Sequence, residues 1–191
     1  MRDEAEHKGD SEAVGLGTRR CRDAEGVSFR RAEAGDVDFL LELLNHEEVE
    51  PYLSAVRARD REDLVAAVER SEREPEDFGL FVIEVGGRLA GTMGFEVGNR
   101  RSRIARLGGL AIHPDLRGRR IGEAAAREFQ RYLFEELGFH RLELEIYGFN
   151  ERAIHHAERA GYVREGVKRK AYWRHGDWVD GVIYGLLPED R

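Results

Sequence analysis

The chain is poor in cysteine and proline. Of its 191 residues, one is a cysteine (Cys21) and four are prolines. A single cysteine excludes a disulfide framework within the chain. Cys21 also lies in a polar segment far from every motif below, so we predict no functional role for it. Because disulfide frameworks belong to oxidising compartments, this composition favours a cytoplasmic protein.

The sequence also lacks a long hydrophobic run. No apolar stretch approaches the roughly 20 residues that span a bilayer, so we expect no membrane span. The first residues are charged and have no apolar core, so we expect no signal peptide. Hydrophobic residues make up 41% and aromatic residues 9% of the chain, which is enough for one core. At roughly 150 residues per domain, the length predicts one domain with short extensions.

Basic residues are fewer than acidic residues, and the formal net charge is −7. We therefore expect no nucleic acid partner, since such proteins carry a basic surface. The four basic residues Arg164, Lys168, Arg169 and Lys170 would be split between the two faces of a strand, which predicts a solvated surface. The acidity suits a cationic small molecule or a basic peptide end, although solubility alone also explains it.

Turn and capping signals divide residues 27–188 into alternating strands and helices. A strand begins at Val27, and Gly86-Gly87 indicates a tight turn between two later strands. The predicted order is βααβββαβαββ, with about seven strands and about four helices. Local hairpins combined with crossover helices predict a single α/β domain with a mixed, mostly antiparallel sheet. Residues 1–26 have no apolar period and predict a flexible charged tail, and residues 189–191 form a second short tail.

The most informative stretch is a strand followed by a basic, glycine-bearing loop and a helix. Residues 107–112 have strand character, residues 117–122 read Arg-Gly-Arg-Arg-Ile-Gly, and residues 123–137 have helical spacing. Backbone N–H groups and the dipole at a helix N-terminus favour an anion, and arginine donors match phosphate oxygens. The loop is neither a Walker loop nor a dinucleotide-binding loop. It therefore predicts a polyphosphate site or, alternatively, a solvated basic turn.

A second segment narrows the interpretation. Residues 142–147 alternate between apolar and polar, as a half-buried strand does. Asn150 is typical of a helix N-cap, and Gly161 of a helix end. Residues 117–122 resemble the Arg/Gln-x-x-Gly-x-Gly/Ala loop of the GNAT superfamily of acyl-CoA-dependent N-acetyltransferases, with Arg120 replacing the first glycine. Residues 150–162 resemble the family's Asn-x-x-Ala-x-x-x-Tyr-Glu-Lys-x-Gly-Phe helix, and the resemblance covers roughly residues 27–188.

The resemblance implies acetyl-CoA as cosubstrate and a set of residues that bind it. The pyrophosphate would lie over the loop, formed by Arg117, Gly118, Arg119, Arg120, Ile121 and Gly122. The pantetheine arm would pair with the main chain of Leu110, Ala111 and Ile112 like an added strand. Leu110 and Ile112 are alternatively ordinary core residues. The helix that Asn150 caps would lie beside the coenzyme.

The resemblance also implies a base and leaves the acid open. Glu145, five positions before Asn150, matches the place where ribosomal-protein N-terminal acetyltransferases of the superfamily carry their base. Glu96 and water are alternative bases. Glu145 is alternatively a solvent-facing residue with no catalytic role. The family's usual acid, a tyrosine, corresponds to Ala157. Tyr147, Tyr172 or water could replace that acid.

The change of tyrosine to alanine recurs in the branch that acetylates ribosomal-protein N-termini and assorted small amines. Residues 172–180 of this chain resemble the same branch.

No metal site is predicted. His155 and His156 are adjacent on a helix and so point in different directions, and no third ligand follows at helical spacing.

Two functions remain. The favoured one is an N-acetyltransferase that moves an acetyl group from acetyl-CoA to a primary amine by direct attack in a ternary complex. The acceptor would be a small-molecule amine or a peptide N-terminus, with no membrane partner, and a homodimer stays open. The alternative is a noncatalytic acyl-CoA-binding or sensing module. It stays open because Ala157 stands where the family's acid would be.

Overall fold

The computed structural model describes residues 17–21, 26–53 and 60–191. Within them eight strands form: β1 Arg19–Arg20, β2 Val27–Arg31, β3 Phe78–Val85, β4 Arg88–Asn99, β5 Ile104–Ile112, β6 Arg141–Tyr147, β7 Val163–Arg174 and β8 Asp177–Leu186. The α-helices in the same residues are α1 Val37–Leu44, α2 Arg61–Arg73, α3 Ile121–Arg131 and α4 Glu151–Arg159, and α3 continues into a π-helical turn, Tyr132–Glu136. Apart from β1, this order confirms the predicted βααβββαβαββ.

The strands form one open sheet in the order β1-β2-β3-β4-β5-β6-β8-β7. Every neighbouring pair is antiparallel except β5 and β6, which are parallel. The predicted tight turn joins β3 to β4, where Gly86 and Gly87 both have positive φ, as a two-residue hairpin requires. The mixed, mostly antiparallel α/β sheet is therefore confirmed, with one strand more than predicted.

Helices cover both faces of the sheet. On one face α3 and α4 pack over a large aromatic core, in which the rings of Phe81 and Phe129 lie 5.1 Å apart. On the other face α1 and α2 pack over a smaller aliphatic core that contains Val82. Phe81 and Val82 are adjacent in β3 and point to opposite faces, since side chains alternate along a strand.

The extra strand departs from the predicted tail. Arg19 and Arg20 pair with β2, and Cys21 is 6% exposed within the main core. The Arg19 guanidinium also lies over the Tyr132 ring and 2.7 Å from the carboxylate of Glu136. Arg19 and Arg20 are therefore part of the sheet and Cys21 is part of its core, contrary to the predicted flexible tail. Residues 1–16 and 22–25 of the predicted tail lie outside the described residues.

In the described parts of the chain, no helix is both long and apolar enough to cross a membrane.

Candidate active site

The site begins where two parallel strands separate. β5 and β6 pair at Ile104–Arg141, Ala105–Leu142 and Arg106–Glu143, and no further pairs form along these two fully described strands. The β4–β5 register shifts next to Gly109. The φ of Gly109 is +67°, a conformation that favours glycine. Leu110 follows, and its side chain is 38% exposed. The bulge at Gly109 thus bends β5 away from β6 and leaves a groove between them.

The groove passes through the sheet. Its volume is about 430 Å³, and both strand halves, Leu107–Ile112 and Leu144–Tyr147, line it. On the face of α3 and α4 it is lined by Ile121, Gly122, Asn150, Ala153, His156 and Ala157. On the opposite face it is lined by the segment after α1, through Glu48, Val49, Tyr52 and Leu53. A ligand on either face can therefore reach the gap between the strands.

The basic loop lies at the groove. Arg117, Gly118, Arg120, Ile121 and Gly122 all line it, whereas Arg119 does not. Arg120 is the N-cap of α3 and has a φ of +56°, a left-handed conformation that favours glycine. A left-handed backbone at this position agrees with the glycine in the family's pattern, and arginine adopts this conformation here.

Asn150 is confirmed as the N-cap of α4. Its side-chain oxygen accepts the backbone N–H of Ala153 at 3.1 Å, and the residue is 7% exposed. The backbone N–H of Asn150 donates to the Tyr147 carbonyl at 2.8 Å. These contacts place the start of α4 directly behind the end of β6, so that the first two turns of the helix border the groove.

Glu145 lies in the groove with two donors on its carboxylate. The hydroxyl of Tyr172 donates to one oxygen at 2.6 Å, and the ammonium of Lys168 lies 2.6 Å from the other. Gly181 makes room for them, since a Cβ atom there would overlap the Glu145 carboxylate and the Tyr172 ring. Burial and the hydrogen bond to Glu145 raise the pKa of Tyr172 to about 12. Tyr172 is therefore a neutral donor at physiological pH.

Tyr147 forms a second polar contact in the groove, which the sequence did not predict. The Nε of Arg174 donates to its hydroxyl oxygen at 3.0 Å. Arg174 also donates to the Leu53 carbonyl at 2.8 Å and lies 3.5 Å from the Glu50 carboxylate. The side chain of Arg174 is only 16% exposed. It therefore ties the end of β6 to the segment that lines the α1 face of the groove.

Ala157 and His156 lie on the α4 side. Ala157 is 1% exposed and lines the groove at the place of the family's tyrosine. The Nε2 atom of His156 is buried and has no hydrogen-bond partner among the described residues. Burial lowers the pKa of His156, the nearby Arg159 lowers it further, and Glu123 of α3 opposes this. His156 is therefore a neutral imidazole. Its position one turn after Ala153 could have identified it from the sequence as a residue on the groove side of α4.

The other candidates lie elsewhere. Glu96 pairs with Phe78 and Arg106 within the sheet and does not line the groove. His155 is exposed, on a different side of α4 from His156. Of the basic cluster between residues 164 and 170, Lys168 reaches Glu145, while all four members remain exposed.

Residues 37–162 match the family model described as the acetyltransferase (GNAT) family. The chain belongs to the GNAT family. This confirms the family and the enzyme class that the two sequence segments predicted.

Relatives of this GNAT N-acetyltransferase carry related names. The putative ribosomal N-acetyltransferase YdaF of Bacillus subtilis is 27% identical over 89% of this chain and 96% of YdaF. A shorter match, 28% identical to the uncharacterized prophage-derived N-acetyltransferase YokL of the same organism, covers 42% of this chain and 46% of YokL. The solved spermidine N-acetyltransferase of Vibrio cholerae, in complex with CoA and spermine, has the same fold, with a TM-score of 0.76 and 22% identity over 87% of this chain and 98% of that one.

Proposed function

We propose that this GNAT protein transfers the acetyl group of acetyl-CoA to a primary amine by direct attack in a ternary complex. The observation that carries the proposal is the groove that passes between β5 and β6 and opens on both faces of the sheet. One opening has the features of a coenzyme site, and the other contains a carboxylate suited to an amine. Two substrates can therefore meet inside the sheet from opposite sides.

The α3 side fits the coenzyme. There the N-terminus of α3 and the side chains of Arg117 and Arg120 offer donors for a pyrophosphate. The main chain of Leu110, Ala111 and Ile112, which has no partner on β6, offers hydrogen bonds to an extended pantetheine arm. Asn150, Ala153 and His156 border the same path. CoA in the V. cholerae neighbour is consistent with this use of the fold.

Direct attack is favoured over a covalent acyl-enzyme. None of the described residues that line the groove is a serine or a cysteine, and Cys21 is buried in the core on the β2 side of the sheet. An alkylammonium is mostly protonated near neutral pH, so the acceptor must lose a proton before its nitrogen can attack. Glu145 is the carboxylate that we assign to take this proton, directly or through water.

The acceptor class follows from the relatives and the site together. YdaF is named as a putative ribosomal N-acetyltransferase, and the V. cholerae enzyme is a spermidine N-acetyltransferase. Both kinds of acceptor present a primary amine. We therefore propose a small-molecule amine or a protein N-terminus as acceptor, entering beside Glu48–Leu53.

A turnover assay tests the proposal. Acetyl-CoA is incubated with the protein and with a panel of polyamines, amino acids, aminoglycosides and peptides with free N-termini, and free thiol is measured. Amine-dependent thiol release above the rate without protein is expected for at least one class. Tight binding of acetyl-CoA by calorimetry with no release for any amine would instead support a noncatalytic acyl-CoA-binding module. Neither binding nor release would refute both functions.

A further inference from the structure

Tyr147 carries a hydroxyl proton that its hydrogen-bond partner, Arg174, cannot accept. Its oxygen accepts a hydrogen bond from Nε of Arg174, and a guanidinium only donates. The hydroxyl hydrogen must therefore point away from Arg174. Tyr147 is 3% exposed and lines the groove, and no acceptor for this hydrogen is found among the described residues. The residue is thus an oriented proton donor.

Tyr147 lies on β6, across the groove from the part of β5 that we assign to the pantetheine arm. The last parallel pair is Arg106 with Glu143. Four residues further along each strand are Leu110 and Tyr147, where the two strands have separated. Leu110 begins the stretch of main chain that we assign to the pantetheine arm. A group bound between these two residues would therefore lie beside Tyr147 in the same groove.

The other groups that line the groove, and Tyr172 beside it, are poorer acids. Ala157 has no proton to give. The hydroxyl of Tyr172 already donates to Glu145, and its pKa of about 12 opposes proton loss. His156 is neutral because burial lowers its pKa, so it seldom holds the proton that an acid must supply. Tyr52 is 42% exposed and has no hydrogen bond that orients its hydroxyl among the described contacts.

We propose that Tyr147 is the general acid of this enzyme and that Arg174 is its positioning residue, an inference that rests on the proposed acetyl transfer. The acceptor nitrogen forms a bond to the acetyl carbon, and the carbon–sulfur bond breaks. The electron pair of that bond stays on sulfur, which takes the proton of the Tyr147 hydroxyl. The nitrogen loses a second proton to solvent as the amide forms. The proton that Glu145 removed from the ammonium restores the tyrosine through solvent, so the cycle closes with free thiol, amide and one released proton.

Arg174 supports this role electrostatically. Its guanidinium lies against the oxygen that becomes negative when Tyr147 gives up its proton, and also 5.1 Å from the ring centre. Tyr172 faces the Tyr147 ring edge-on at 5.3 Å, and Glu50 lies beyond Arg174. The guanidinium is thus in direct contact with the oxygen that becomes negative as the proton leaves, and it stabilises that charge.

Replacement of the hydroxyl tests the acid. In Tyr147→Phe we expect kcat to fall at least about tenfold, a floor below the 100- to 10,000-fold that general acids contribute. The KM for acetyl-CoA should change little, because the ring and its stacking on Phe149 remain. Tyr184→Phe is the matched control, since its hydroxyl contacts Glu158 outside the groove, and it should keep both kcat and the KM for acetyl-CoA.

Arg174 requires a readout that a merely structural role would not change. In Arg174→Gln kcat should fall while the KM for acetyl-CoA changes little, because the Tyr147 hydroxyl loses the cation that orients it, and Arg174→Lys should restore part of kcat. Calorimetry with acetyl-CoA reports whether each variant keeps its fold. Full kcat in Tyr147→Phe would overturn the inference alone. Absence of transfer by the wild-type protein with every amine would overturn the proposed function and this inference with it.

Discussion

The guanidinium of Arg117 is held by Glu48 across the mouth of the groove. Its Nη1 lies 2.6 Å from the Glu48 carboxylate, and its Nη2 donates to the Glu48 backbone carbonyl at 3.0 Å. Arg117 opens the loop that we assign to the pyrophosphate, and Glu48 belongs to the segment on the opposite face. The Glu48 carboxylate therefore binds an arginine that the coenzyme pyrophosphate would also bind.

Removing this competitor should tighten coenzyme binding. In Glu48→Gln the ion pair is lost, and we expect the affinity for acetyl-CoA to rise by up to about fivefold, since exposed ion pairs are worth about 0–1 kcal/mol. The measurement is calorimetric titration at fixed ionic strength. Glu47→Gln is the control, because it removes the same charge from an exposed neighbour. Equal or weaker binding by Glu48→Gln relative to Glu47→Gln would show that Glu48 does not compete.

Gly122 tests the coenzyme loop itself. A Cβ atom there would lie 3.4 Å from Cγ1 of Ile112, an ordinary contact, so the fold should accept alanine. The branched side chain of Gly122→Val should fill the approach to the first turn of α3 and abolish acetyl-CoA binding, whereas Gly122→Ala should retain part of it. Calorimetry measures both affinities, and thermal melting confirms that both variants fold. Unchanged affinity in the valine variant would disprove the assignment of the loop.

Arg120 tests the strain in the same loop. Its left-handed backbone costs a non-glycine residue about 1 kcal/mol or more, and this is partly offset by the flexibility that glycine has when unfolded. We expect Arg120→Gly to leave the free energy of unfolding unchanged or to raise it by up to about 1 kcal/mol. Arg119→Gly, where φ is not positive, should lower it. Urea unfolding compares the two, and a larger loss in Arg120→Gly would contradict the strain argument.

The elements and the residues on the α3 side of the groove were predictable because their signals are local. The basic loop and the Asn150 cap each lie within one turn or one short segment, where a backbone conformation demands particular residue types. Gly86-Gly87 is an equally local signal. The strand separation beside Gly109 has no periodic signal in the sequence, since Leu110 has the pattern of an ordinary core residue.

The acceptor side was not predictable from local patterns. The contact between Arg174 and Tyr147 joins β7 to β6 across the full width of β8, so it depends on sheet order and register. The segment Glu48–Leu53 has no motif and becomes part of the groove only through α1 packing. β1 was missed for a related reason, because two residues are too few to show an alternating pattern.

The docking of β1 leads to a prediction about the N-terminal segment. We compare a chain that begins at residue 17 with one that begins at residue 27. The shorter chain loses the β1 ladder, the buried Cys21 and the ion pair of Arg19 with Glu136, so its free energy of unfolding should fall by about 1–3 kcal/mol. Acetyl-CoA affinity should be similar, since neither β1 nor Cys21 lines the groove. Equal melting temperatures would show that β1 contributes nothing.

Glu145 tests the chemistry on the acceptor side. Glu145→Gln keeps the shape of the side chain and removes its basicity, so the rate near neutral pH should fall by at least about tenfold. Part of the rate should return as the pH rises, because free amine then forms without a base. Acetyl-CoA affinity should stay near the wild-type value. Glu143→Gln is the matched control, since Glu143 lies two residues earlier on β6, pairs with Arg141 at 3.0 Å and does not line the groove. Its rate should equal that of the wild type at every pH. If Glu145→Gln behaves like Glu143→Gln, the Glu145 carboxylate only holds Tyr172 and Lys168, and the proton leaves the amine through solvent.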